Sequence, residues 1–131
     1  MTNADGSFYE GDWVADKKQG QGFYKDAVEE YEGSWQDDMK HGEGKQTTEK
    51  NGCVYVGSWA SNQRDGFGVL TFPSGAKYEG SWSKGYKHGT GFSLKDGVKF
   101  EGKWIKDKKE GEGIETFLDG SHRKVLFKKG K

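Results

Sequence analysis

The sequence is poor in proline, in cysteine and in long apolar runs. One proline and one cysteine, Cys53, occur among 131 residues, so no internal disulfide is possible. A lone cysteine fits a reducing compartment, and we expect a cytoplasmic protein. No apolar run approaches the roughly 18 residues of a membrane-spanning helix. Residues 1–8 also lack the basic and then apolar stretches of a secretory signal.

The chain has no excess of charge of either sign, since 21 basic residues balance 21 acidic ones. Nucleic-acid-binding domains usually show a basic excess, so no nucleic-acid partner is expected. Residues 1–50 carry 6 basic and 12 acidic side chains, residues 51–95 carry 5 and 2, and residues 96–131 carry 10 and 7. This asymmetry favours a partner of complementary charge or head-to-tail contact between copies, or it serves solubility alone.

Aliphatic residues are too few for a thick two-layer core, because hydrophobic residues of all kinds reach only 31%. Aromatic residues nevertheless reach 15%, which argues against a disordered chain. Glycine is also abundant, with 22 of 131 residues against a usual share of about 7%. The question is therefore where these aromatic residues and glycines stand.

Tryptophan recurs at intervals of 22 to 24 residues. The five tryptophans are Trp13, Trp35, Trp59, Trp82 and Trp104. Four residues before each one stands an aromatic residue, namely Tyr9, Tyr31, Tyr55, Tyr78 or Phe100. A glycine lies two residues before each tryptophan, and a Gly-x-Gly begins seven residues after it. The glycines are thus fixed in position, unlike those of a flexible linker.

One repeat is expected to form a β-hairpin. In the unit at residues 75–96, alternation of apolar and polar residues up to Trp82 predicts a strand. The polar stretch at residues 83–88 predicts a loop, and residues 89–94 predict a second strand. A ring from a neighbouring strand can lie flat on each strand glycine. The sequence therefore predicts an all-β fold: an elongated, single-layer, twisted antiparallel sheet of tandem hairpins.

We expect a single domain with a C-terminal capping strand. Its units are placed at residues 6–27, 28–50, 52–74, 75–96 and 97–119, with the cap at residues 120–131. Basic residues at 123–129 would oppose edge-to-edge pairing of the cap. No such cap precedes Ser7–Trp13, so this first edge is expected to be covered by a partner or to allow a homodimer.

The repeated motif resembles the MORN (membrane occupation and recognition nexus) repeat. Tyr31–Trp35 and Tyr78–Trp82 both read YEGSW, and Tyr9–Trp13 reads YEGDW. The resemblance extends from about Gly6 to Phe127, and it implies a trough-like sheet without catalytic activity. It further implies a scaffold or adaptor that holds a protein partner along the trough or at a sheet edge. Known settings are cilia, flagella, other cytoskeletal assemblies and membrane junctions, so an axonemal location fits.

Two sets of candidate contact residues follow. The predicted partner contacts along the trough are Tyr31, Trp35, Tyr55, Trp59, Tyr78, Trp82 and Phe100, because a single-layer sheet should leave some ring surface exposed. The alternative is an anionic phospholipid surface bound by Arg123, Lys124, Lys128, Lys129 and Lys131. The apolar residues that follow each Gly-x-Gly, among them Phe23, Val69, Phe92 and Ile114, line either the same face or the opposite one.

No catalytic residue, metal or cofactor is expected. His41 and His88 occupy a repeat position that holds Gln19, Asp65 or Glu110 in the other units, and a position that accepts Gln is more typical of a polar loop end than of a zinc ligand. Cys53 stands at the position of Ser7, Ala76, Val98 and Ser121 in other units, so a small inert side chain is expected there. Each Gly-x-Gly precedes a strand, whereas a phosphate-binding loop precedes a helix. The recurring glutamates, such as Glu10, alternate with the rings and should face the other side of the sheet.

Overall fold

The computed structural model describes residues 6–48 and 51–128, which form one antiparallel sheet of eleven strands in chain order. The strands are β1 (Phe8–Val14), β2 (Lys17–Lys25), β3 (Glu29–Gln36), β4 (Met39–Thr48), β5 (Val54–Ala60), β6 (Gln63–Thr71), β7 (Lys77–Ser83), β8 (Tyr86–Lys95), β9 (Val98–Ile105), β10 (Lys108–Thr116) and β11 (His122–Phe127). The predicted all-β, single-layer fold is confirmed. Across the described residues, no helix has the length and apolar character needed to cross a membrane.

The turn inside each hairpin is shorter than predicted. In the fourth unit only Lys84 and Gly85 separate β7 from β8, so the predicted loop at residues 83–88 is wrong. Both turn residues have positive φ, 49° and 86°, which is the pattern of a type I′ turn. That turn matches the right-handed twist of the flanking strands, so the strands can continue up to it. The equivalent positive-φ pairs are Ala15-Asp16, Asp37-Asp38, Ser61-Asn62 and Lys106-Asp107.

A bulge lies beside the tryptophan of each hairpin. Gly80 pairs with Gly91 and Trp82 pairs with Lys87, so one residue of β7 lies opposite three residues of β8. Gly89, in the middle of the bulge, has a φ of 100°, a conformation that glycine adopts without steric cost. The first glycine of Gly-x-Gly is therefore needed by the backbone itself.

The other two repeated glycines make room for the tyrosine ring and for the adjoining strand. A Cβ atom at Gly44 would overlap the hydroxyl group and ring of Tyr31. A Cβ atom at Gly33 would overlap the Cα atom of Gly44, where β3 and β4 approach closely. The prediction that rings rest on bare backbone of a neighbouring strand is confirmed.

The rings form a continuous series on one side of the sheet, which we call the ladder. Its members, in order, are Trp13, Tyr9, Trp35, Tyr31, Trp59, Tyr55, Trp82, Tyr78, Trp104, Phe100 and Phe127. Successive centroids lie 4.9 to 5.5 Å apart in edge-to-face arrangement. Such pairs contribute about 0.5–1.5 kcal/mol each beyond the burial of their area. The ladder therefore links each repeat to the next.

Hydrogen bonds fix the orientation of the rings. The hydroxyl of Tyr31 donates to the carbonyl oxygen of Ser34 at 2.8 Å, and Tyr55 and Tyr78 make the equivalent bonds. The indole Nε1 of Trp59 donates to the carbonyl oxygen of Gly44 at 3.3 Å. The polar ends of the buried rings are therefore satisfied within the sheet.

Candidate binding surface

The aromatic residues predicted to contact a partner are buried in the ladder. The exposed fractions of Tyr31, Trp35, Tyr55, Trp59, Tyr78, Trp82 and Phe100 lie between 0% and 6%. Each ring packs against at least two other rings, and the strand glycines leave room for the rings on the backbone, so little ring surface is left for direct contact. The expectation that ring faces stay exposed is wrong. Whether a partner binds this side of the sheet, which we call the ladder face, stays a prediction.

A row of cations covers the ladder. One basic residue stands five positions after each tryptophan, and these residues, the basic row, are Lys18, Lys40, Arg64, Lys87 and Lys109. The Cζ atom of Arg64 lies 4.9 Å from the ring centroid of Tyr55 and 5.2 Å from that of Trp82. The guanidinium group thus covers the junction between two repeats. The row was not among the contacts predicted from the sequence, although its spacing is the same in every unit.

Within the part of the chain that the structure describes, most of the basic row forms no direct ion pair, although the charge of Asp107 acts to raise the pKa of Arg64 and Lys87 against the larger effect of desolvation. Among the described residues, only Lys40 forms an ion pair within the row, with Glu29. Arg64 instead donates to the amide oxygen of Gln46 at 3.0 Å. Desolvation lowers the pKa of both Arg64 and Lys87, which means that burial disfavours their charged forms. An incoming anion would therefore stabilise these charges.

The ladder face also has a cleft of about 570 Å³ in the C-terminal half of the sheet. Its lining includes Phe72, Lys87, Lys95, Lys109 and Phe127. Its one acidic lining residue is Asp107, whose carboxylate already accepts a hydrogen bond from the backbone N–H of Lys87 at 2.7 Å. The cleft therefore combines aromatic surface with an excess of positive charge.

The opposite face of the sheet carries most of the large apolar side chains that are exposed within strands, among them Val56 and Phe67. Phe23 pairs with Glu10, and Val69 pairs with Val56, so these residues alternate with the ladder. Phe92 and Ile114 lie on the same side as Phe23 and Val69. The sequence left open which face these residues line, and they line the face opposite the ladder. The register also places the recurring glutamates there, as predicted.

The C-terminal basic residues are divided between the faces. Arg123 and Lys124 are consecutive in β11, and consecutive strand residues point to opposite sides of a sheet. The Nε atom of Arg123 donates to the carboxylate of Glu115 at 2.8 Å. Lys128 is exposed, whereas Lys129 and Lys131 lie outside the described residues. Arg123 and Lys124 therefore do not share one surface of the sheet. The predicted lipid contact stays a prediction.

The N-terminal end of the ladder is open. Trp13 is 42% exposed, whereas the other four tryptophans are 2% to 6% exposed. Each of those four packs against an aromatic ring of the preceding unit, and Trp13 has no such ring among the described residues. In the sheet of described strands, β1 pairs only with β2. Self-association through this edge stays a prediction.

The remaining candidate residues form no chemical centre. Within residues 6–48 and 51–128, no three or more His, Cys, Asp or Glu side chains are grouped to hold a metal ion. Nδ1 of His88 accepts a long hydrogen bond, 3.5 Å, from the backbone N–H of Lys106. Cys53 is buried against the ladder, but a small side chain is not general at this position, because the second unit has Glu29 there.

Comparison with known families agrees with the repeat pattern. The family model described as MORN repeat matches residues 9–27, 31–53, 55–77, 78–97 and 100–122, which is most of the chain. A search of curated proteins finds no match.

Proposed function

The chain belongs to the MORN repeat family and is a repeat scaffold, and from this premise we propose that it is a non-enzymatic adaptor for a protein partner. A segment of that partner would lie along the ladder face. The observation that carries the proposal is the cleft at Lys87 and Lys109, which joins aromatic and basic surface. A cytoplasmic setting in a cytoskeletal, ciliary or flagellar assembly is proposed from the family resemblance alone.

The repeating geometry of the ladder face supports a linear partner. Each hairpin adds two strands, and strands lie about 4.8 Å apart, so equivalent side chains recur roughly every 10 Å along the array. A linear segment can make the same type of contact at each step. The contacts would come from the basic row and from the rims of Phe72 and Phe127, because the ladder rings beneath them are buried.

Photo-crosslinking from two positions of one strand tests this proposal. Ser93 lines the cleft on the ladder face, and Thr90 lies on the opposite face of the same strand, β8. A benzoylphenylalanine at position 93 should give a discrete crosslinked protein from native cells, whereas one at position 90 should not. Adducts from position 90 only, or from neither position, would remove the ladder face as the partner site.

Vesicle flotation tests the phospholipid alternative. Vesicles with and without anionic lipid are mixed with the wild-type chain and with the double variant Arg123→Gln, Lys124→Gln. Because these residues lie on opposite faces of β11 and Arg123 is paired with Glu115, we expect no salt-sensitive flotation that depends on them. Flotation that requires both residues and falls with added salt would indicate that the chain binds a membrane surface and would contradict the proposed protein partner.

A further inference from the structure

We propose that the partner segment is acidic, and that its carboxylates bind three consecutive cations of the basic row: Arg64, Lys87 and Lys109. This inference rests on the proposed function and names the chemistry of the partner. The three side chains occupy equivalent positions in units three, four and five, above the ladder. Residues 51–131 also carry a net positive charge, with 15 basic and 9 acidic residues.

The second unit shows internally how such a carboxylate would bind. Glu29 stands two residues before Tyr31, and its carboxylate pairs with Lys40 of the basic row. The same position holds Cys53 in the third unit, Ala76 in the fourth and Val98 in the fifth. These three units therefore have no carboxylate at this position, and the charge of Asp107 acts on Arg64 and Lys87 without forming an ion pair among the described residues. A carboxylate from a partner would occupy the equivalent place.

The spacing of the row sets the pattern of the partner. Neighbouring cations are separated by one hairpin, roughly 10 Å. A polyproline II segment advances about 3.1 Å per residue with three residues per turn, so every third side chain lies on one face at nearly this spacing. A polyproline II segment with an acidic residue at every third position therefore matches the row. About seven residues would span all three cations.

The burial of the row favours a peptide over a membrane or a nucleic acid. Arg64, Lys87 and Lys109 are half-buried and lie over ring faces, so a flat bilayer surface would meet protruding side chains first. A single peptide strand can enter the cleft, which Lys87 and Lys109 line, and extend beyond it to Arg64. A nucleic acid would be attracted by a large basic excess, and the whole chain has a net charge of zero.

Binding of a defined peptide tests the proposal directly. The probe is a fluorescent peptide of repeated Glu-Leu-Ser units, and its control is the same peptide with Gln in place of Glu. The anisotropy of the Glu probe should rise with protein concentration and its affinity should fall with added salt, while the Gln probe should not bind. Absence of binding by the Glu probe, or equal binding by both probes, overturns the proposal.

Matched charge variants locate the binding. The double variant Arg64→Gln, Lys87→Gln should bind the Glu probe with at least tenfold lower affinity. The variant Lys45→Gln, Lys103→Gln removes the same charge from the opposite face and should change affinity less than twofold. Arg64→Lys with Lys87→Arg keeps the charges and should retain binding, which controls for folding. Equal losses from both faces would indicate attraction by net charge and overturn the proposal.

Two single variants should act in opposite directions. Ala76→Glu places a carboxylate at the repeat position that Glu29 occupies in the second unit. There it should pair with Lys87 and lower the affinity for the Glu probe severalfold. Glu29→Ala frees Lys40 and should strengthen binding. If neither variant changes affinity, the repeat position does not control access to the row, and the proposal fails.

Two further probes separate failure of this inference from failure of the proposed function. If photo-crosslinking from position 93 succeeds while the Glu probe does not bind, the adaptor function stands and the acidic partner is refuted. Anionic vesicles and a single-stranded 15-nucleotide DNA are tested with the same variants. Tighter binding of either one, lost in Arg64→Gln, Lys87→Gln, would assign the row to a membrane or a nucleic acid instead.

Discussion

The ring of Tyr31 meets the ring of Trp59 edge to face across the boundary between two repeats, with centroids 5.4 Å apart and an interplanar angle of 90°. The Nζ atom of Lys40 lies 5.5 Å from the first centroid and 5.2 Å from the second. Because the same arrangement recurs along the sheet, each repeat is stabilised mainly by its neighbours, as in other repeat proteins. The ladder therefore couples local packing to the integrity of the whole array.

Removal of a central ladder ring should destabilise the protein much more than removal of the terminal one. Trp59→Ala should lower the free energy of unfolding by about 3–5 kcal/mol, the usual cost for a large buried aromatic residue. Trp13→Ala is the matched control and should cost clearly less, because Trp13 is 42% exposed and contacts fewer rings. Chemical denaturation followed by circular dichroism measures both. Equal costs would contradict a ladder that joins the repeats.

Two glycines of different function should respond differently to alanine. Gly44→Ala should displace the ring of Tyr31 and cost more than about 2 kcal/mol, as for other overpacked sites. Gly75→Ala has open space around the new Cβ, and its positive φ of 93° alone should cost about 1–2 kcal/mol. Unfolding midpoints of the two variants give the comparison. A smaller effect at Gly44 would show that the ring does not need the bare backbone.

Parts of this fold could be predicted from sequence because their causes are local. Alternation around Trp82 specifies a strand, and the spacing of glycines and rings specifies which backbone is covered. The turn length was missed because a polar stretch such as residues 83–88 has the same composition in a loop and in two strand ends. Only the positive φ of Lys84 and Gly85 distinguishes the two cases.

The burial of the rings was misjudged for a different reason. Part of their cover comes from cations such as Arg64, which the sequence pattern did not identify as contacts of the rings. Long basic side chains can lay their aliphatic stems on apolar surface, so a charged residue can bury an aromatic one. The contact also involves Tyr55 and Trp82, which belong to different repeats. A pattern considered one repeat at a time does not show it.

High pH should unfold the protein through its buried tyrosines. Desolvation raises the pKa of Tyr78 from 10.0 to about 12, and it raises the pKa of Tyr31 and Tyr55 further. A raised pKa in the folded state means that stability is fully present below pH 10 and is lost as the pH rises through about 12. Denaturant midpoints measured from pH 9 to 12 should therefore fall steeply.

A phenylalanine variant gives the control for this pH dependence. Tyr78→Phe removes one ionisable group but also the hydrogen bond to Ser81, so it should cost about 1 kcal/mol at neutral pH. Phe100 occupies the equivalent position in the fifth unit, which shows that the ladder accommodates this ring. The midpoint of the variant should fall less steeply above pH 10 than that of the wild type. Identical slopes would contradict a buried, protonated Tyr78.

Low pH should act on the turn that opens the second unit. Val28 stands there, three residues before Tyr31, at a position that is glycine in the other four units (Gly6, Gly52, Gly75 and Gly97). The carboxylate of Asp26 accepts hydrogen bonds from the backbone N–H groups of Val28 and Glu29, both at 2.8 Å. Desolvation, the largest single effect, raises the pKa of Asp26, but these bonds and one from Tyr24 together hold it below its usual value. The stabilisation is present above the unfolded pKa of about 3.9 and is lost as the pH falls through the lower folded value.

Asp26→Asn should therefore lower stability at neutral pH by about 1–2 kcal/mol, because charge-assisted bonds become neutral ones. Its stability should also change less than that of the wild type between pH 4 and pH 2. Asp37→Asn is the matched control, since Asp37 lies in an exposed turn with positive φ that asparagine tolerates. Thermal unfolding over this pH range measures all three proteins. If Asp26→Asn and Asp37→Asn behave alike, the Asp26 carboxylate does not hold the turn, and the missing glycine is compensated by other contacts.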